Sequence, residues 1–213
     1  PDDFRDSVFE SMARIGDIAM YSNVIENHDR PRSADQYLPE DGRNDNGKKC
    51  LALAYYMLRG LPFIYQGQEI GMENVRVGSI DEVDDVSAIS EYAVALDAGF
   101  SEGEAMEFVN KYSRDNARTP MQWDGSPNAG FSSGTPWIMV NPNYRTLNAA
   151  AEETDPDSVL NYYRALIRLR RASEWKEAVV YNRFALLDPE DEQIFAYLRP
   201  GDATLLVVCN LSP

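Results

Sequence analysis

Apolar and polar positions follow two different periods along this chain, and the change of period divides it. Phe4, Val8, Met12 and Ile15 recur at helical spacing and Gly16 follows, which predicts an amphipathic helix and its stop. Ile18 to Ile25 reads as a short buried strand that runs straight into the polar cluster Glu26-Asn27-His28-Asp29. Pro31 opposes continuation, and residues 35–46 form a polar loop rich in turn formers. The run KKCLALAYYMLR that ends at Arg59 is apolar on almost every face, so it predicts a buried helix with Gly60 as its left-handed cap. Leu61 to Tyr65 is a second buried strand. Helix, strand and polar tip, repeated in that order, is the rhythm of a parallel α/β sheet.

From Gly78 to Tyr112 the chain turns acidic. Helical spacing through Val83, Val86, Ile89 and Val94, with a capping box at Ser101 to Glu104, predicts an inserted helical excursion. Residues 113–144 have no period and carry four prolines, with Trp123 and Trp137 expected to pack inside the loop rather than stack on a ligand. Asp155-Pro156-Asp157-Ser158 is a strong start for an amphipathic helix from Val159 to Arg171. Beyond it the texture becomes short alternating strands: Ala178 to Tyr181, Arg183 to Leu187, Gln193 to Arg199 and Thr204 to Asn210. A domain boundary near Ser173 follows, separating residues 1–173 from residues 174–213.

Composition narrows the function classes. A chain of 213 residues with 44% hydrophobic side chains holds one large domain, or one domain and a piece of another. Its start at Pro1 and its end just after an apolar run read as cuts through a longer protein. A formal charge of −15 argues against nucleic acid, because phosphate binding needs clustered Lys and Arg, and a neutral substrate fits better. No apolar stretch approaches the ~20 residues that span a bilayer, so no membrane partner is expected. Cys50 and Cys209 have neither metal-ligand nor redox-motif spacing; two buried free thiols point to a reducing, cytoplasmic setting. Asp81, Glu82, Asp84 and Asp85 do not follow the calcium-loop pattern and read as a solvated helix face, so neither metal nor cofactor is expected.

The informative segment is Asn23 to Arg32. In a (β/α)8 barrel, polar residues at the strand tips line the active site, and His28 and Asp29 stand at such a tip. His28 is the single histidine, so any role that needs an imidazole falls to it. The competing reading is a turn held by Asn27 and Asp29.

Three long segments in series decide between them: ENHDRPR from Glu26, GLPFIYQGQEIGMENV from Gly60, and SRDNARTPMQWDGSPNAGFSSGTPWIMVNPNY from Ser113. Together they closely resemble the α-glucosidase branch of the α-amylase superfamily, across nearly the whole chain. The resemblance implies an α/β fold: the C-terminal portion of a (β/α)8 TIM barrel, its last two βα units with a helical insertion, followed by the start of an antiparallel β-sandwich domain. Ile18 to Ile25 would be the seventh strand and Pro62 to Tyr65 the eighth. It implies a retaining glycoside hydrolase acting on α-linked gluco-oligosaccharides, whose nucleophilic Asp and acid Glu would lie on earlier strands, before Pro1. Asp29 would be the third carboxylate, the transition-state stabiliser, and His28 would hold a hydroxyl of the same sugar. Arg114 would lie at the pocket floor, paired with an acid from the first part of the barrel, while Arg118 anchors its loop. Arg30 and Arg32 would either neighbour an outer sugar site or brace the loop, and Gln66, Gln68 and Glu69 would shape the barrel mouth. A transglycosidase of the sucrose-isomerase or trehalose-forming type, or a noncatalytic member, are the alternatives. The segment alone is expected to be inactive and to self-associate through open strand edges.

Overall fold

Ser22–Asn23 (β1) and Leu61–Pro62 (β2) pair in parallel, Ser22 opposite Leu61 and Asn23 opposite Pro62. The computed structural model describes residues 10–12, 14–16, 18–172, 174–187, 191 and 193–210. Phe4 and Val8 of the first predicted helix, and Ser173 at the predicted boundary, lie outside the described residues. In chain order the helices are Ser33–Tyr37 (α1), Asp45–Tyr56 (α2), Val86–Asp97 (α3), Glu102–Tyr112 (α4), Asp115–Arg118 (α5), Ala149–Thr154 (α6), Val159–Ala172 (α7) and Lys176–Val180 (α8). They are followed by the strands Ala185–Leu187 (β3), Ile194–Arg199 (β4) and Leu205–Asn210 (β5). Two units emerge, one of the described residues up to Ile25 with Tyr37–Ile64 and those from Asn161 onward, the other of Glu26–Gln36 and Tyr65–Leu160.

In the first unit α2 begins where the Asn44 side chain accepts the amides of Asn46 and Gly47, and it buries Leu51, Ala52, Ala54, Tyr55 and Tyr56. Its exit is tight. Gly60 takes a φ of 121° against the Tyr21 carbonyl, where any Cβ would collide, and the chain enters β2 at once. Both parallel strands are shorter than their apolar runs. Leu61, Phe63 and Val24 are exposed apolar residues, and a strand extends only as far as both backbones find ladder partners.

Arg170 on α7 is buried and donates to the carbonyls of Tyr56 (2.7 Å), Leu58 (3.1 Å) and Gly60, satisfying acceptors that the end of α2 leaves open. The sheet β3-β4-β5 is antiparallel, with Leu186 opposite Tyr197 and Phe195 opposite Cys209. Along β5 Val207 and Cys209 turn inward while Leu206 and Val208 face out. The Tyr197 hydroxyl donates to the Ala54 carbonyl of α2 at 2.9 Å. Both cysteines are reduced, but only Cys209 is fully buried; Cys50 is half-buried and donates to the Asn210 carbonyl at 3.3 Å.

One predicted strand is a helix. Ala178 to Tyr181 has strand-forming residues, yet Lys176–Val180 is helical because tertiary partners override propensity. The wholly buried Arg199 donates to the carbonyls of Ala178 (2.9 Å), Val179 (2.7 Å) and Asn182 (2.7 Å), the acceptors that a helix C-terminus leaves open. Burial lowers the Arg199 pKa to about 10, so the guanidinium stays charged at neutral pH, solvated by carbonyls.

The second unit holds the predicted insertion. Ser101 and Glu104 form the capping box of α4, and α3 and α4 pack around Val83, Ala88 and Val109. A second core joins Ile70, Met72 and Met121 to Leu147 and Leu160. The aperiodic loop seals itself through Met121, Ala129 and Ile138, so the expected packing of its tryptophans is corrected: Trp123 is 53% and Trp137 73% exposed. The small residues fit the interior, and the indole rings remain outside.

Replacing Arg199 with Met removes the donors from three carbonyls, two of them buried, and is expected to cost about 3 kcal/mol. Urea unfolding followed by tryptophan fluorescence measures this. An unchanged midpoint contradicts the capping role.

Candidate active site

After β1 the chain turns on Asn27, whose side-chain oxygen accepts the Asp29 amide at 2.8 Å. This Asx turn presents His28 and Asp29 outward, with side chains 69% and 52% exposed, and Arg30 beside them is exposed as well. The turn sits on a buried base. Arg32 donates to Glu26 Oε1 (2.7 Å), the Gln66 carbonyl (2.7 Å) and the Asn116 carbonyl (3.1 Å), and the second Glu26 oxygen accepts the Ser33 amide (2.9 Å). Arg32 is fully buried and braces the turn from beneath. Gly67, at a φ of 86°, lets the next loop approach the Arg32 guanidinium so closely that a Cβ would strike it and Met72. The side chain of Gln68 accepts the Tyr65 amide, and burial raises the Glu69 carboxyl above its ordinary pKa. The Gln68 contact is internal to the loop after β2, and the Glu69 shift is one of burial.

The second half of the site comes from residues 113–118. Arg118 Nη2 donates to Asp29 Oδ1 at 2.9 Å, and its Nε donates to the His28 carbonyl at 2.9 Å. His28 Nε2 lies 3.1 Å from the other Asp29 oxygen. Arg114 points the same way but stops short, with Nη1 at 3.8 Å from Asp29 Oδ1. The structure places the two arginines differently. Arg118 both anchors the turn and touches the carboxylate, whereas Arg114 spends its fork on Asp85, a partner within this chain.

Asp85 is the residue that sequence reading missed. It stood in a run taken for a solvated acidic face, yet its side chain is 2% exposed. Its oxygens accept from the Arg114 amide (2.9 Å), Arg114 Nε (2.9 Å), Arg114 Nη2 and the Ser87 amide (3.1 Å). The available signal was its position: an Asp directly before the first periodic residue of a helix is an N-cap, and Asp85 caps α3. Asp115 fixes it from behind by accepting the amides of Asp84 (2.8 Å) and Asp85 (2.9 Å).

Magnitudes separate these pairs by purpose. A half-exposed ion pair such as Asp29 with Arg118 contributes about 0–1 kcal/mol, so it adds little to stability. It fixes the direction of a carboxylate that retains acceptor capacity on both oxygens and opens to solvent. Such a group, flanked by an imidazole and a guanidinium, can grip vicinal hydroxyls and stabilise developing positive charge.

Burial alone would raise the Asp85 pKa, but the hydrogen bonds and charge of Arg114, with the Ser87 amide, hold it at about 2, against 3.8 ordinarily. A depressed pKa contributes stability that is complete above the unfolded value and is lost as pH falls through the folded one. Acid titration from neutrality to pH ~1.5 should therefore show stability falling between about 4 and 2, and Asp85→Asn should flatten that limb. Parallel acid limbs in the two proteins contradict the assignment.

Comparison with known proteins gives the family. The family model described as "Alpha amylase, catalytic domain" matches residues 2–179. The chain is 42% identical over 204 residues to "Probable oligo-1,6-glucosidase 3" of Bacillus subtilis, covering 95% of this chain and 36% of that protein. It is also 42% identical to "Oligo-1,6-glucosidase" of Parageobacillus thermoglucosidasius, covering 90% of this chain and 34% of the other. Among solved structures, isomaltulose synthase from Klebsiella sp. LX3 superposes with a TM-score of 0.91 at 37% identity, over 99% of this chain and 38% of that one. Trehalose-6-phosphate hydrolase of Bacillus licheniformis gives 0.88 at 38% identity, over 99% and 37%. The chain thus spans about a third of the length of the curated relatives it matches. It belongs to the alpha-amylase family, within the catalytic domain.

Proposed function

We propose that the protein carrying this chain is a retaining α-glucosidase that hydrolyses α-glucosidic bonds in short gluco-oligosaccharides of the isomaltose or maltose type. The observation that carries this reading is the Asp29 carboxylate, held from one side by Arg118 at 2.9 Å and from the other by His28 at 3.1 Å, in a chain of this family. The relatives named as oligo-1,6-glucosidases support the substrate class.

In this reading the chain is the last two βα units of a (β/α)8 barrel, with residues 86–112 as a helical insertion, and the β domain starts after residue 173. Asp29 accepts hydroxyl protons of the sugar in the cleavage subsite. Its hydrogen bonds shorten as the ring flattens and positive charge develops at the anomeric carbon, which lowers the barrier rather than the ground state. His28 holds a neighbouring hydroxyl, and Arg118 keeps the carboxylate aimed. The nucleophile and the acid are supplied by earlier strands, so the isolated segment is inactive, and its open strand edges favour self-association. Two reduced thiols fit a cytoplasmic location.

A transglycosidase is the second reading, supported by the TM-score of 0.91 with isomaltulose synthase. The two share glycosyl-enzyme formation and differ in whether water or a sugar takes the intermediate.

The intact protein, given isomaltose, maltose and sucrose separately, is expected to release glucose, and a new disaccharide from sucrose selects the second reading. Asp29→Asn should lower kcat by about 100-fold or more with the fold intact. Absence of glucose release from every α-glucoside, or full activity in the Asn variant, contradicts the proposal.

A further inference from the structure

The start of the helical insertion meets the candidate site chiefly through the Asp85 carboxylate. Three of the four hydrogen bonds that the Asp85 carboxylate accepts come from Arg114, and Arg114 Nη2 also donates to Ser87 Oγ at 2.9 Å. Asp85 is itself immobilised, because Asp115 accepts the amides of Asp84 and Asp85, and Asp115 follows Arg114 in sequence. Guanidinium, acceptor and backbone therefore form one closed ring of interactions.

This ring holds a strong cation near Asp29 without letting it bond. Arg114 Nη1 stands 3.8 Å from Asp29 Oδ1, beyond hydrogen-bond distance, while Arg118 already donates to that same oxygen at 2.9 Å. A guanidinium released from Asp85 would need to move only about an ångström to form a second ionic hydrogen bond there. It would then occupy the acceptor site that a sugar hydroxyl needs.

Resting on the α-glucosidase reading, we infer that Asp85 is a positioning residue: it restrains Arg114, so that Asp29 has a cation close by yet keeps its remaining acceptor sites open for substrate. On this account the insertion takes part in the reaction through one carboxylate that never touches the sugar. Arg114 without its restraint is more harmful than no Arg114 at all.

That ordering is the test. In the intact enzyme, Asp85→Asn is expected to raise KM and lower kcat/KM by about tenfold, as Arg114 collapses onto Asp29. Arg114→Ala alone should cost less. The double variant, Asp85→Asn with Arg114→Ala, should recover at least about threefold in kcat/KM over Asp85→Asn alone, a sign reversal that mere loss of structure does not produce. Ser87→Ala removes one Arg114 bond without disturbing a buried charge, and should show a smaller loss that Arg114→Ala likewise relieves. Thermal midpoints of all variants are measured alongside. Equal kcat/KM in Asp85→Asn and wild type, or a double variant no better than Asp85→Asn, overturns the inference. A wild-type enzyme inactive on every α-glucoside instead overturns the reading on which it rests.

Discussion

Everything about this site follows from how one half-exposed carboxylate is kept in a fixed direction without being neutralised by its neighbours. Asp29 is touched by Arg118 and approached by His28, and Arg114 is kept just out of bonding range by Asp85. An exposed ion pair gives little stability, so the direction of Asp29 has to be imposed from beneath. The imposed frame is the buried Glu26 and Arg32 pair, whose guanidinium reaches three separate segments of the second unit: its own loop, the Gln66 turn and the Asn116 carbonyl.

The RDNAR run shows how tightly chemistry and folding are joined. Arg114 binds Asp85, and Asp115 fixes the start of α3. Asn116 accepts the Val75 amide at 3.0 Å and donates to the Asn110 carbonyl at 3.0 Å, while the Ala117 carbonyl accepts from Tyr65 at 3.1 Å. Arg118 then reaches Asp29. Five consecutive residues thus carry five separate tasks, four through side chains and Ala117 through its carbonyl, from a one-turn helix and its N-cap.

Much of this was legible beforehand. The helical period found α2, α3, α4 and α7, alternation found β4 and β5, and the polar tip after β1 directed attention to His28 and Asp29. What escaped was set by distant partners. Lys176–Val180 has the residues of a strand and is held as a helix by Arg199, which lies 19 to 23 positions further on. Asp85 looked solvated because its neighbours in sequence are acidic, while its true environment comes from Arg114, 29 positions away. The roles of Arg114 and Arg118 could not be separated by spacing alone, since both flank the same turn and only distance distinguishes them. Trp123 and Trp137 were misjudged in the opposite sense, because a loop can close on Ala129 and Ile138 and leave its largest rings outside.

The central claim is that the Asp29 carboxylate, as Arg118 and His28 hold it, is a grip for the hydroxyls of a single sugar ring. A crystal structure of the intact protein with a glucose-configured iminosugar tests it most directly. The account predicts two ring hydroxyls within hydrogen-bond distance of Asp29, a third near His28, and the Arg118 contact preserved. A ring bound with Asp29 unengaged, or with Arg118 turned away from it, would contradict the account.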